Sequence, residues 1–162
     1  TILRPFNTYG PRQSTRAIIP TVITQIARGK RILKLGALKP TRDFSFVDDT
    51  VSGFVATLTA DNIIGETINL GSNYEISIIN TVEAIARTCG VEVSITVENE
   101  RLRPKNSEVE RLWACNKKAC KLLNWAPKYG GLAGFEEGLK KTVAWFSDEA
   151  NLAKYNEKSY SI

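Results

Sequence analysis

Hydrophobic positions along this chain recur at two spacings, near two and near three and a half residues. "TILRPF" opens as a short apolar strand and gives way to "NTYGP", a cluster of turn formers. Ile19, Val22, Ile23 and Ile26 then fall at helical spacing, with Pro20 tolerated in the first turn and Gly29 closing the helix. "ILKLG" (32–36) and "RDFSFVD" (42–48) read as strands. Val51, Phe54, Val55 and Leu58 predict the apolar face of a helix that follows an aspartate cap, one of Asp48 and Asp49. "TINLG" (67–71) is a strand ended by a glycine turn.

Ser77 caps the next predicted helix, whose face is Ile78, Val82, Ile85 and Cys89, with Gly90 at its C-terminal end. "VEVSITV" (91–97) alternates as a strand, and "ENERLRPKNSEVER" (98–111) reads as a long polar loop. Asn116 caps a short helix that runs to Leu123, and the stretch from Tyr129 to Gly134 is a turn. Phe135, Leu139, Val143 and Phe146 define a last amphipathic helix, after which residues 151–162 form a polar, fraying tail. There is no internal repeat. Alternating strands and helices predict an α/β class over residues 1–150. The strands are few, short and unevenly separated, so a complete doubly wound sheet cannot be assembled from them.

Composition narrows the chemistry. The chain has 162 residues and 43% hydrophobic content, which suits one globular region. No apolar run approaches the roughly 18 residues of a membrane span, and no signal peptide is recognisable at the start. The first residue is Thr1 and not Met, and "ILRPF" reads as a strand already under way, so the expectation is a fragment or a processed chain. Three cysteines form no C-x-x-C pair and histidine is absent, which argues against zinc sites of the Cys/His kind and predicts no metal. Cys89 is expected in the core, and an odd thiol count suits a reducing cytoplasm. Without histidine a general base must be a carboxylate, lysine, tyrosine or thiolate, and Ser–His or Cys–His hydrolases are excluded within this chain. A net charge of +5 favours phosphate-bearing ligands. The basic residues are dispersed among acids with no aromatic-interleaved stripe, which argues against nucleic acid.

Candidate chemistry then concentrates in loops. Asn7 sits just past a strand end, where open α/β sheets bind ligands, and its amide can serve a phosphate or sugar oxygen. Alternatively, Asn7, Gly10 and Pro11 simply build a turn. Arg42, Arg103 and Arg111 lie beside strands or in polar segments, where a guanidinium can grip phosphate in bidentate fashion. Arg42 could instead form a surface pair with Asp43, worth little. Neither "GPRQ" nor "YGGLAG" has the pattern or context of a dinucleotide-binding loop. No activated nucleophile is visible, so the expected catalytic set is empty and the chain looks like a binding half.

"RPFNTYGPRQ", "IIPTVITQIARGK", "LGALKPTRDFSFVDDT", "GETINLGSNYEISI", "RPKNSEVERLWACNKKACKLLNWAPKY" and "GLKKTVAWF" run in the order and spacing of the C-terminal half of extended short-chain dehydrogenases/reductases. The chain resembles these NAD-dependent nucleotide-sugar epimerases and dehydratases over residues 1 to about 147. In detail it is similar to bacterial nucleotide-sugar 4,6-dehydratases of the legionaminic-acid type. The resemblance implies the C-terminal, substrate-binding part of an incomplete Rossmann-like fold, with the cofactor-binding part missing. It implies that Arg42, Asn7, Arg103 and Arg111 contact the sugar diphosphate and that Leu33 and Leu35 line the pocket of the base. The chain departs from the family at Lys105-Asn106-Ser107, where Gly-Asp or Gly-His-Asp is common.

The family's glycine-rich NAD loop and its Tyr-x-x-x-Lys pair precede the position of Thr1. Tyr9 is not that tyrosine, because Gln13 stands four residues later. The implied chemistry is oxidation of a sugar hydroxyl by hydride transfer to NAD, loss of water from neighbouring carbons, and hydride return. The fragment would bind nucleotide-sugar and be inactive alone, with NAD held by the N-terminal half. A homodimer or strand-exchanged oligomer is expected from unpaired sheet edges in "TILRPF" and "TINLG". Two other readings stand beside this one: a separate binding or dimerisation module reusing the half-fold, and an enzyme reconstituted from two encoded halves.

Overall fold

Parallel pairing between strands far apart in sequence organises the chain. The structure, a computed structural model, describes residues 1–101 and 109–155. Among these the strands are β1 (Ile2–Pro5), β2 (Asn7–Tyr9), β3 (Ile32–Leu35), β4 (Thr41–Phe46), β5 (Thr67–Leu70), β6 (Glu75–Ser77), β7 (Ser94–Val97) and β8 (Arg111–Leu112). The helices are α1 (Ile18–Ala27), α2 (Val47–Ala56), α3 (Ile78–Cys89), α4 (Lys117–Leu123), α5 (Gly131–Ser147) and α6 (Glu149–Leu152). The chain matches the expected α/β class and divides into two compact units.

The first unit comprises Thr1–Gly10, Thr41–Ile76 and Arg111–Gly138. β1 pairs parallel with β5, Ile2 opposite Thr67 and Pro5 opposite Leu70. β4 is the hub of a second sheet, flanked by β2 and β6, with β8 also pairing to it. Alternation along β5 turns Ile68 and Leu70 inward, where they meet Ile63, Ala119, Leu123 and Trp125. A second cluster is aromatic. Tyr9 meets Phe46 edge-on with centroids 5.5 Å apart, Phe44 stacks on Phe135 at 5.9 Å, and Phe46 packs on Tyr129 at 4.5 Å. The Tyr9 hydroxyl donates to the Phe135 carbonyl at 3.0 Å. Gly138, one helical turn on in α5, makes room for that ring: a Cβ there would strike the Tyr9 hydroxyl and lie 3.0 Å from the Phe46 ring.

Three sequence expectations change in this unit. Asn7–Tyr9, expected as part of a turn, is a strand whose Asn7 pairs with Phe44. Glu75–Ser77 and Arg111–Leu112 are strands as well, too short to leave a periodic signal. In α2 the period is right and the face is reversed. Val51, Phe54 and Val55 are about half exposed and Leu58 is 81% exposed, while Asp49 and Gly53 are buried. Gly53 explains the reversal, because Leu70 presses so close that a Cβ at position 53 would lie 2.8 Å from it. Trp125 also donates its indole N–H to Ser52 Oγ at 2.8 Å, tying that side of the helix inward.

The second unit comprises Pro11–Pro40, Ser77–Glu110 and Leu139–Ile162. β3 and β7 pair parallel, Leu33 opposite Ile95 and Leu35 opposite Val97. The predicted face of α1, Ile19, Val22, Ile23 and Ile26, is buried as expected. α3 has the predicted ends: Ser77 Oγ accepts from the Asn80 N–H at 3.2 Å, and Gly90 closes the helix in the left-handed region at φ 65°. The later part of α5 contributes Leu139 and Phe146 to the core. The start of the tail is not frayed. Asp148 caps α6 by accepting from the Asn151 N–H at 2.9 Å, and Tyr155 packs on Phe146 at 5.1 Å. Residues 156–162 lie outside the described residues. Among the described residues no helix is long and apolar enough to cross a membrane.

Candidate functional site

The segment Thr41-Arg42-Asp43 enters β4, and the twofold alternation of a strand sends its side chains to opposite faces. Asp43 is fully buried. Its Oδ1 accepts from the Ser72 N–H at 2.8 Å and the Ser72 hydroxyl at 2.7 Å, and its Oδ2 accepts from the Ala114 N–H at 3.2 Å. Burial pushes its carboxyl above the ordinary aspartate range, and these donors pull the other way. Asp43 is therefore not a surface partner of Arg42. It joins β4 to the turn after β5 and to the segment between β8 and α4.

Asn7 is fixed from the same residue. Its Nδ2 donates to the Asp43 carbonyl at 3.0 Å, and its strand register places it opposite Phe44. Arg42 lies two residues before Phe44, so Asn7 and Arg42 share one face of the β2–β4 pair. The Arg42 Nη1 donates to the Thr41 carbonyl at 2.8 Å, which holds the half-buried guanidinium back along its own strand. An amide and a guanidinium side by side suit the oxygens of a phosphate or a sugar.

Arg111 belongs to the other face. It sits opposite Thr41 in the β4–β8 register, and its guanidinium is taken by Glu75. Arg111 Nε donates to both Glu75 oxygens at 3.0 and 2.9 Å, and Nη2 donates to Oε1 at 2.5 Å. The Thr41 hydroxyl donates to Glu75 Oε2 at 2.8 Å. Trp113 lies 5.4 Å below the guanidinium. The Arg111 and Thr41 donors bring the Glu75 carboxyl from 4.5 to about 2. Sequence reasoning missed Glu75, because "GSNYEISI" carries its obvious signals in the glycine turn and the Ser77 cap. The remaining clue was Glu75-Ile76-Ser77 alternation, too short to count.

The arginines expected to gather are thus separated: register puts Arg42 and Arg111 on opposite faces of β4, and Arg103 falls outside the described residues. Leu33 and Leu35 lie in the second unit, 0% and 1% exposed, and spend their surface on packing; neither presents an open face to a base. Two expected caps act elsewhere. Asp49 makes no cap bond to α2, whose N-cap position is Phe46; its Oδ1 and Oδ2 accept from the Lys128 and Tyr129 N–H groups, each at 2.8 Å. Asn116 stands at the N-cap of α4 but donates its Nδ2 to the Gly71 carbonyl at 3.0 Å. The Tyr9 hydroxyl is buried and its pKa is raised by that burial, so it has no access to serve as a base.

With this geometry in place, comparison with known proteins is informative. The family model described as GDP-mannose 4,6 dehydratase matches residues 1–142. The UDP-glucuronate 4-epimerase of Thermodesulfobacterium geofontis is 34% identical over 94% of this chain, which spans 45% of that protein. The dTDP-D-glucose 4,6-dehydratase of Mus musculus is 28% identical over 98% of this chain and 44% of its own length. Among solved structures, the UDP-glucuronic acid 4-epimerase from Bacillus cereus in complex with UDP-glucuronic acid and NAD superposes with a TM-score of 0.77 at 31% identity, over 90% of this chain and 44% of that one. The chain therefore spans just under half the length of the relatives it matches.

Two outcomes follow from the carboxylates. Asp43→Asn places an amide N–H₂ among three donors and should destabilise the chain by about 2–4 kcal/mol, since each buried donor left unpaired costs about 1–3 kcal/mol. Urea unfolding should show a lower midpoint at unchanged slope, and an unchanged midpoint would contradict the role given to Asp43. For Glu75 the folded pKa lies below the unfolded one, so its stabilisation is present above 4.5 and is lost as pH falls toward about 2. The difference in melting temperature between the wild-type chain and Glu75→Gln should therefore shrink over that window; a pH-independent difference would show that the ion pair does not titrate as described.

Proposed function

The chain belongs to the nucleotide-sugar epimerase and dehydratase family of extended short-chain dehydrogenases/reductases, and on that premise we propose that it is the nucleotide-sugar-binding portion of an NAD-dependent lyase or isomerase. The observation that carries the reading is Asn7 and Arg42 side by side on one face of β2–β4, within the family match. Arg42 grips the diphosphate and Asn7 serves the oxygens next to it. NAD and the residues that move protons and hydride belong to the rest of a longer chain, so this portion alone binds and does not turn over. Nucleoside diphosphate binding by this portion alone is weak, because a ligand shared with another domain is left half in water. UDP titration by calorimetry should show Arg42→Ala losing about 10- to 100-fold in affinity, the equivalent of charge-assisted bonds of about 1.5–3 kcal/mol. Equal affinities would remove Arg42 from the site.

The stripe Val51, Phe54, Val55 and Leu58 on α2 supports the view that the longer chain covers this surface. β1, whose residue Ile2 is largely exposed, pairs with β5 alone among the described residues, and parallel strands are ordinarily covered on both faces. A homodimer through the same stripe is the second reading. Val55→Asp made in the full-length chain should cost about 2–4 kcal/mol of stability if the stripe is covered there. No loss in the full-length chain, together with loss of a micromolar dimer of residues 1–162, would favour the separate dimerisation module.

A further inference from the structure

The sheet of the second unit has two outer edges, and they differ. In the parallel β3–β7 pair the Ser94 N–H donates to the Arg31 carbonyl at 2.8 Å and the Glu98 N–H to the Leu35 carbonyl at 2.9 Å. The even-numbered residues of β7 therefore spend their backbone groups on β3. Those of Ile95 and Val97 point the other way, with the Val93 carbonyl beside them. By the same alternation Lys34 turns its backbone to the outer edge of β3, where the Gln25 side chain of α1 takes both groups. The Lys34 N–H donates to Gln25 Oε1 at 3.0 Å, and Gln25 Nε2 donates to the Lys34 carbonyl at 3.5 Å. A side-chain amide thus stands where a neighbouring strand would be.

Nothing equivalent covers β7. Among the described residues it pairs with β3 alone, and no hydrogen bond reaches the outward groups of Ile95 and Val97. Val97 is 49% exposed and Ile95 is half-buried. The segment "VEVSITV" (91–97) contains no proline, lysine or glycine, the residues that commonly spoil an edge.

The segment is also self-complementary. A twofold axis at Ser94 sets an antiparallel copy with Val93 opposite Ile95 of the second copy, Val91 opposite its Val97, and Ser94 opposite its own counterpart. Apolar residues then meet on the face that Leu33 and Leu35 occupy, Ser94 and Thr96 share the other face, and Glu92 lies opposite Thr96. An axis at Ile95 would instead oppose Glu92 to Glu98, a like-charge pair. An axis at Thr96 would carry the copy past Glu98, where the chain leaves the sheet for the turn Asn99–Arg101 that rests on Gly36. Glu98 itself is neutralised from within, by Lys34 and Arg101, each at 2.8 Å.

We propose that the outer edge of β7 is an interface for a second copy of this chain, joined antiparallel about Ser94 into a four-stranded sheet β3–β7–β7–β3. The two β3 strands become the new edges, and each already carries its Gln25 cap, so growth stops at two copies. This interface is separate from the stripe on α2 and does not rest on the nucleotide reading.

Disulfide trapping reads the register. With the exposed Cys115 and Cys120 changed to serine, Ser94→Cys should yield a covalent dimer on mild oxidation. Opposed residues of a non-hydrogen-bonded antiparallel pair have Cα atoms about 4.5 Å apart, within disulfide reach. Thr96→Cys should not cross-link, since its two copies lie about 13 Å apart along the strands. Sedimentation of residues 1–162 should show a concentration-dependent dimer, and Val97→Pro should weaken it about 10- to 100-fold, one hydrogen bond being lost from each copy. That proline removes an outward N–H and none that β3 uses. Val97→Lys, which leaves the backbone unchanged, should weaken the dimer as well, and Val55→Asp on α2 should not. A chain that stays monomeric at high micromolar concentration overturns the inference. So does cross-linking through Thr96 as readily as through Ser94, or a dimer that Val55→Asp abolishes and Val97→Lys leaves intact.

Discussion

A buried carboxylate held by backbone N–H groups and a hydroxyl sets the form of the first unit. Asp43 lies in the middle of β4 with its charge out of water, a costly position unless every lone pair that matters finds a donor. Ser72 and Ala114 supply those donors from two other stretches of chain, and charged acceptors make such bonds stronger than neutral ones. Gly71 keeps the approach open, since a side chain there would run into Ala114. The backbone of the same residue holds Asn7. Sheet register, the turn after β5 and the amide of the candidate site are all referred to one aspartate, and Arg42 takes its place as that residue's neighbour.

The charge around this strand is sorted by face. Glu75 and Arg111 neutralise each other on one side, with Thr41 and Trp113 fixing them, so that side behaves as a tie between β6 and β8. The other side carries Arg42 beside a polar amide, above an aromatic cluster of Tyr9, Phe44 and Phe135 that contributes rigidity through ring packing. A net charge of +5 says little about such an arrangement; the useful quantity is which charged and polar groups share a given face.

Much of this was legible in the residues. The periodic helices α1 and α3 lie where their apolar spacing put them, and Ser77 and Gly90 end α3 as their side-chain chemistry requires. The family was legible from the order of its segments, and the partial length of the match agrees with a portion of a larger fold. What could not be read was the destination of single polar groups. Asp49, Asp43 and Asn116 are all good capping or turn residues, and each is used instead to bond a distant backbone group, which depends on tertiary register. The face of α2 was misread for a related reason. An apolar stripe announces that something covers it, and composition alone cannot say that Gly53 and Leu70 claim the opposite side.

The donors of Asp43 also bear on the order in which a growing chain can settle. Ser72 is 29 residues downstream of Asp43 and Ala114 is 71. During synthesis, β4 emerges long before its last donor does, and in that interval its carboxylate stays hydrated and the strand uncommitted. Pairing at such separations is entropically slow, because a long loop must close before any contact rewards it. The second unit's α1, β3 and α3 lie within the first 89 residues and can associate earlier. The hub strand of the first unit thus waits on a backbone amide made more than seventy residues afterwards.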